Sequence, residues 1–138
     1  MLAAIPLTIV PLILFNLVAH TAGNQWSDVL VNLPLIGAAC PITLRDLLEL
    51  VALAMLFFET LRSAAPTRNV MITNHIVSTV LLIVYVVQFI VDPVAGNSLY
   101  LILTAIALFD VVAGFTISIR TAQRDVTFAG DPSLGHHH

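Results

Sequence analysis

The chain has 138 residues, 59% hydrophobic and 9% charged, with a formal net charge of −3 and a mean hydropathy of +1.00. A soluble domain carries about a quarter of its residues as Asp, Glu, Lys or Arg, so this composition excludes a water-solvated fold and requires lipid around the chain. The five basic residues are all arginine, at 45, 62, 68, 120 and 124, and they form no run able to follow a phosphate backbone, which excludes nucleic acid as a partner.

Four apolar blocks follow, each close to the roughly 20 helical residues that cross about 30 Å of hydrocarbon. They predict an all-α membrane protein: a four-transmembrane-helix bundle in one domain over residues 1–130. The first block covers residues 2–20. Pro6 and Pro11 lack amide donors and predict a kink or an irregular first turn. Neither a basic leading region nor a small-residue cleavage site marks a signal peptide, so the block is expected to remain a span.

Residues 21–42 are too many for a tight link and too apolar for a solvated loop. Trp26 suits a headgroup region. Val29 to Ile36, followed by Gly37-Ala38-Ala39, predicts a short extracytoplasmic β-hairpin. An interfacial helix is the competing form, disfavoured by Pro34 and Gly37. Cys40 is the only cysteine, so no intrachain disulfide forms, and it reads as a small apolar residue.

The second block, residues 43–63, opens on Thr43 with Asp46 three residues later, a capped helix start. The third, residues 69–91, is stopped by Asp92-Pro93 and the turn signal Gly96-Asn97. The fourth, residues 98–124, has Ser98 as its expected N-cap. Residues 131–138 form a polar tail whose closing Gly-His-His-His is expected to be a tag remnant, not a metal site.

Arginine placement sets the orientation. Arg62 and Arg68 flank the loop after the second span, and Arg120 and Arg124 follow the fourth, so this side is expected to be the cytoplasm of a bacterial inner membrane. Four spans then place both termini there. Arg45 lies opposite, one turn before Glu49, where an i,i+4 pair lowers its cost.

Polar residues inside the blocks mark the faces that should meet protein. Thr104, Ala107, Asp110, Gly114 and Ser118 recur every three or four residues along the fourth block. Ile102, Phe109, Val112, Phe115 and Ile119 face the other way, toward lipid. Asp110 lies mid-span, where a carboxylate costs at least about 2.5 kcal/mol, so it must be neutral, paired or wet. Tyr85 or Asn16 are its expected structural partners. Asn74, Ser78, Tyr85, Gln88 and Asp92 form a matching seam on the third block, bordered by His75 and Thr79. Glu49 and Glu59 share a side of the second block, and Asn16 and His20 lie a turn apart on the first.

Alternating spans put Glu59, Arg62, Arg68 and His75 toward one face, and His20, Arg45, Asp46, Glu49, Gln88 and Asp92 toward the other. Haem held between His20 and His75 is therefore not expected, nor is a metal at His20, Asp46 and Glu49, which lack diagnostic spacing. His75 near Glu59 is expected first as a hydrogen bond holding the second span to the third, with a proton-responsive pair as the alternative. No nucleophile elbow, phosphate loop or zinc-protease motif occurs, and Ser78 and Ser118 show no base. No enzyme activity, metal or cofactor is expected.

The strings Leu44-Arg45-Asp46-Leu47-Leu48-Glu49-Leu50, Asn74-His75-Ile76-Val77-Ser78 and Asp110-Val111-Val112-Ala113-Gly114-Phe115-Thr116 resemble those of small four-span inner-membrane proteins of proteobacteria. The resemblance implies a topology over most of residues 25 to 125, and no activity. The function predicted first is a homo-oligomeric pore or carrier for an ion or small solute, using Asp110. The alternative is an accessory or scaffolding subunit that binds itself or a larger membrane protein, with the outer hairpin as its recognition surface. The first predicts central water, the second dry and fully satisfied seams.

Overall fold

A computed structural model describes residues 5–23, 25–63 and 68–129. The elements are α1 (Ile9–Thr21), β1 (Val29–Leu35), β2 (Ala38–Thr43), α2 (Leu44–Ser63), α3 (Arg68–Val91) and α4 (Ser98–Ala129), with 3-10 turns at Gln25–Ser27 and Pro93–Ala95. The fold is mostly helical with one small sheet. Residues 2–4 of the expected first span and the tail 131–138 lie outside the described residues.

Two stretches, Met71–Val91 and Ser98–Arg124, are long and apolar enough to cross a membrane by length and composition. α1 is apolar but has 13 residues, about 20 Å of helix, less than a hydrocarbon core. α2 has 20 residues but carries Arg45, Asp46, Glu49, Glu59 and Arg62. Among the described residues the first helix begins at Ile9, after an irregular start at the prolines. Ile9 N and Val10 N donate to Pro6 O at 3.2 Å and Leu7 O at 3.1 Å, a tight i→i+3 start.

The local signals behave as their chemistry requires, with one exchange. Thr43 N donates to Asp46 Oδ2 at 2.8 Å and Asp46 N to Thr43 Oγ1 at 3.3 Å, reciprocal bonds that start α2. Arg45 Nε meets Glu49 Oε1 at 2.9 Å. At α4 the cap is Asn97 rather than Ser98, because Asn97 Oδ1 accepts the Tyr100 amide at 2.9 Å. Ser98 Oγ instead accepts from Arg45 Nη1 at 3.0 Å.

The hairpin forms as an antiparallel pair, Leu35 opposite Ala38 and Leu33 opposite Cys40. Its turn is Ile36-Gly37, with Gly37 at φ 87°, a conformation that disfavours any side chain. Ala38 and Ala39, expected in the turn, belong to β2. An irregularity at Leu30 shifts the register near the base.

Neighbouring helices alternate in direction. The chain before α1 meets the end of α2 where Arg62 Nη2 donates to Ile5 O at 2.6 Å. The end of α1 meets the end of α3 where His20 Nε2 lies 3.4 Å from Asp92 Oδ2. Between these ends sits a core of Leu12, Phe15, Ala52, Tyr85, Tyr100 and Leu103. Ile102, Phe109, Val112, Phe115 and Ile119 are all exposed on α4, while Ala107, Asp110 and Gly114 are buried, so the small and polar stripe faces inward.

Trp26 does not present its ring outward. It is buried, stacked on Phe15 with centroids 5.2 Å apart, and Phe15 meets Tyr100 edge-on at 4.8 Å. An aromatic pair of this kind contributes about 0.5–1.5 kcal/mol beyond its buried area. Trp26 Nε1 is the one buried side-chain polar atom without a partner among the described residues.

Candidate functional site: an enclosed carboxylate network

Glu59, on the last turns of α2, is fully buried. Among the described residues, three donors converge on it. Asn74 Nδ2 lies 2.8 Å from Oε1, the Leu7 amide 3.1 Å from Oε2, and Arg62 Nη2 2.8 Å from Oε2. Leu7 lies just before the N-cap of α1, where its amide has no helical carbonyl to meet, and the positive end of α1 favours an anion there. Arg62, one turn on from Glu59, keeps its head partly in water while neutralising the carboxylate.

Asp110, from the middle of α4, is also buried. Thr8 Oγ1 donates to its Oδ2 at 3.3 Å, Ser78 hydrogen-bonds it, and it interacts electrostatically with both Glu59 and Arg62. Thr8 serves twice, since its carbonyl accepts Tyr85 Oη at 2.8 Å. The expected Asp110 contacts with Tyr85 or Asn16 are therefore corrected. Tyr85 reaches the carboxylate only through Thr8, and Asn16 lies a further two turns along α1, in another cluster.

That second cluster occupies the opposite end. Asn16 and Gln88 exchange amide bonds, Nδ2 to Oε1 at 3.2 Å and Nε2 to Oδ1 at 2.5 Å. Tyr100 Oη donates to Gln88 Oε1 at 2.9 Å, and Gln88 Nε2 to Asp92 Oδ2 at 3.1 Å. The Gln88 bond, then the Val94 amide, hold the Asp92 carboxyl below the usual carboxylate range, with His20 adding to this. Tyr85 and Tyr100, ring centroids 5.6 Å apart, stand between the clusters.

The His75–Glu59 pairing is also corrected. α3 turns Asn74 toward Glu59, which leaves His75 facing α4. There His75 Nε2 hydrogen-bonds Ser118 Oγ, and the ring stacks on Phe115 at 5.4 Å. Ser118 thus has an imidazole beside it that sequence reasoning missed. No carboxylate bonds the other ring nitrogen among the described residues, so no third group orients the base for acyl transfer. Gly114 makes the room: a Cβ there would lie 2.7 Å from His75 Nδ1. Gly114→Ala is expected to lose about 1–3 kcal/mol by overpacking, and His75→Ala in the same chain to recover most of it. Equal thermal midpoints for Gly114→Ala and the parent would contradict the contact.

His20, Asp46 and Glu49 are not brought together, because each has its own partner in Asp92, Thr43 and Arg45. Among the described residues no group of three or more His, Cys, Asp or Glu is placed to hold a metal. Of the helix-packing set, Ala107 and Gly114 are buried, while Thr104 and Ser118 are half-buried, Thr104 Oγ1 bonding Tyr100 O at 2.8 Å. Thr8 is the network member that pattern reading left out, whereas Arg62 is legible one turn from Glu59, with which it pairs. A hydroxyl flanked by Pro6 and Pro11, beside backbone freed from helical bonding, is the signal that marks Thr8. Comparison with family models, curated proteins and solved structures finds no match for this chain.

Proposed function

We propose that this protein is a four-span, non-enzymatic accessory or scaffolding subunit of a bacterial inner membrane, with both termini cytoplasmic, whose internal polar network fixes how its helices pack. The observation that supports this most is the closure of that network within one chain. Glu59, Asn74, Ser78 and Asp110 turn inward and are bonded to one another's helices, and the faces left outside are aliphatic and aromatic. Lipid gives helices no hydrophobic reason to associate, so bonds between them and close packing supply the specificity. α2 enters lipid despite its charges because its ionisable groups pair, Arg45 with Glu49 and Glu59 with Arg62.

One observation favours a second reading, a pore or carrier that uses Asp110. Two buried carboxylates, Glu59 and Asp110, both interact with Arg62, an arrangement able to exchange a proton or a small cation. Proteoliposome flux separates the readings. The subunit reading expects no proton or cation flux above protein-free vesicles, in the parent and in Asp110→Asn alike, together with cross-links to a different protein in native membranes. Flux in the parent that Asp110→Asn abolishes, or cross-links to itself alone, would overturn it.

A further inference from the structure

The hairpin presents a face that no helix covers. Cross-strand partners share a face of an antiparallel pair, so the register groups Val31, Leu33, Leu35, Ala38, Cys40 and Ile42 on one side and Asn32, Pro34, Ala39 and Pro41 on the other. The first side is wholly apolar. Leu33, Leu35 and the tip residue Ile36 are all exposed, and a lone two-stranded hairpin in water is marginally stable.

Four observations identify what covers this face. No residue from Val29 to Thr43 is charged. The apolar side offers no Trp, Tyr or Arg of the kind that anchors protein interfaces. Both free edges are blunted: counting outward from the Leu35–Ala38 pair beside the two-residue turn, Pro34 and Pro41 fall at positions whose amides point away from the partner strand. Strand addition by a second copy therefore meets a missing donor on either edge. Finally, β2 runs into α2 without an intervening residue, and Leu44 N is bonded to Asp28 O at 3.0 Å. The sheet is thus fixed at the end of a helix that the proposed topology inserts in lipid.

We infer that the hairpin lies on the outer leaflet of the same membrane, with the Val31–Leu33–Leu35 face against the acyl chains and the Asn32–Pro34–Ala39 face toward water. This rests on the four-span reading. Without charged side chains, the attachment depends on apolar contact and not on anionic headgroups.

The test is nitroxide accessibility for the full chain in phosphatidylcholine vesicles, in a Cys40→Ser background. Labels at Leu35→Cys and Ala39→Cys are compared with Phe109→Cys as the lipid reference and Arg124→Cys as the water reference. The expected result is collision with oxygen over a water-soluble nickel chelate at Leu35, as at Phe109, and the reverse at Ala39, unchanged when phosphatidylglycerol is added. A Leu35 label that matches Arg124 while Phe109 stays lipid-like overturns the inference alone. So do labels on the two faces that behave alike, or an immobilised Leu35 label shielded from both reagents, which would indicate a covering protein. A Phe109 label open to the chelate would instead remove the membrane reading beneath it.

Discussion

Replacing Arg62 with leucine is expected to destabilise the folded protein by about 3–5 kcal/mol, the cost of leaving one member of a buried ion pair uncompensated. Glu59 is fully buried, and of the donors that bond it among the described side chains and amides Arg62 carries the charge. The Leu7 amide and Asn74 would remain, yet neither neutralises a carboxylate in a low-dielectric interior. An exposed pair at the same i,i+3 spacing would contribute about 0–1 kcal/mol, so the size of the loss separates an enclosed site from a surface one. Adding Glu59→Gln to Arg62→Leu should restore part of the stability, because the charge is gone, while the single amide oxygen keeps one of the two bonds that Leu7 and Asn74 make to different carboxylate oxygens. The measurement is denaturation in mixed micelles followed by Trp26 emission. A loss under about 1 kcal/mol for Arg62→Leu, or no recovery in the double variant, would mean that Glu59 is not enclosed as described.

Phe15→Ala is expected to cost about 3 kcal/mol, the low end for removing a buried aromatic ring. On the proposed four-span reading the transfer contribution largely disappears, since the unpacked ring would rest among acyl chains. What remains is the lost packing: the ring stacks on Trp26 at 5.2 Å and meets Tyr100 at 4.8 Å, and the surrounding helices relax only partly into the space. Trp26 is the only tryptophan, so its emission reports the site directly. Phe15→Ala should shift that emission and lower the unfolding midpoint together, whereas Phe109→Ala, on an exposed face of α4, should change neither appreciably. Unaltered Trp26 emission in Phe15→Ala would place the indole elsewhere.

Both experiments probe contacts that no single element contains. Several local features are legible in residue order alone. The Thr43-x-x-Asp46 start, the Arg45–Glu49 pair, the Asp92-Pro93 stop and the strand-turn-strand pattern around Gly37 depend on neighbours within a few residues. The inward stripe on α4 is equally readable, because the helical period sorts Ala107, Asp110 and Gly114 from Phe109, Val112 and Phe115. Partner choice is not readable in this way. Asn74 and His75 are adjacent in sequence, and a rotation of α3 by about 100°, one residue of a 3.6-residue turn, decides which of them meets Glu59. Packing against α4 selects Asn74, because Gly114 leaves space for the imidazole and Ser118 supplies its hydrogen bond.

The sequence by itself determined the helical and strand segments, the two stretches apolar enough to cross a membrane, and which helix faces are apolar, since hydropathy, periodicity and capping are properties of short stretches of chain. Only the tertiary structure decided that Asp110 meets Thr8, 102 residues away, that Glu59 meets the Leu7 amide, and that Trp26 is stacked under Phe15. These pairings depend on the rotation and axial offset of each helix relative to the others. Those offsets are set by how side chains from distant segments fill a common interior, and no local stretch specifies them.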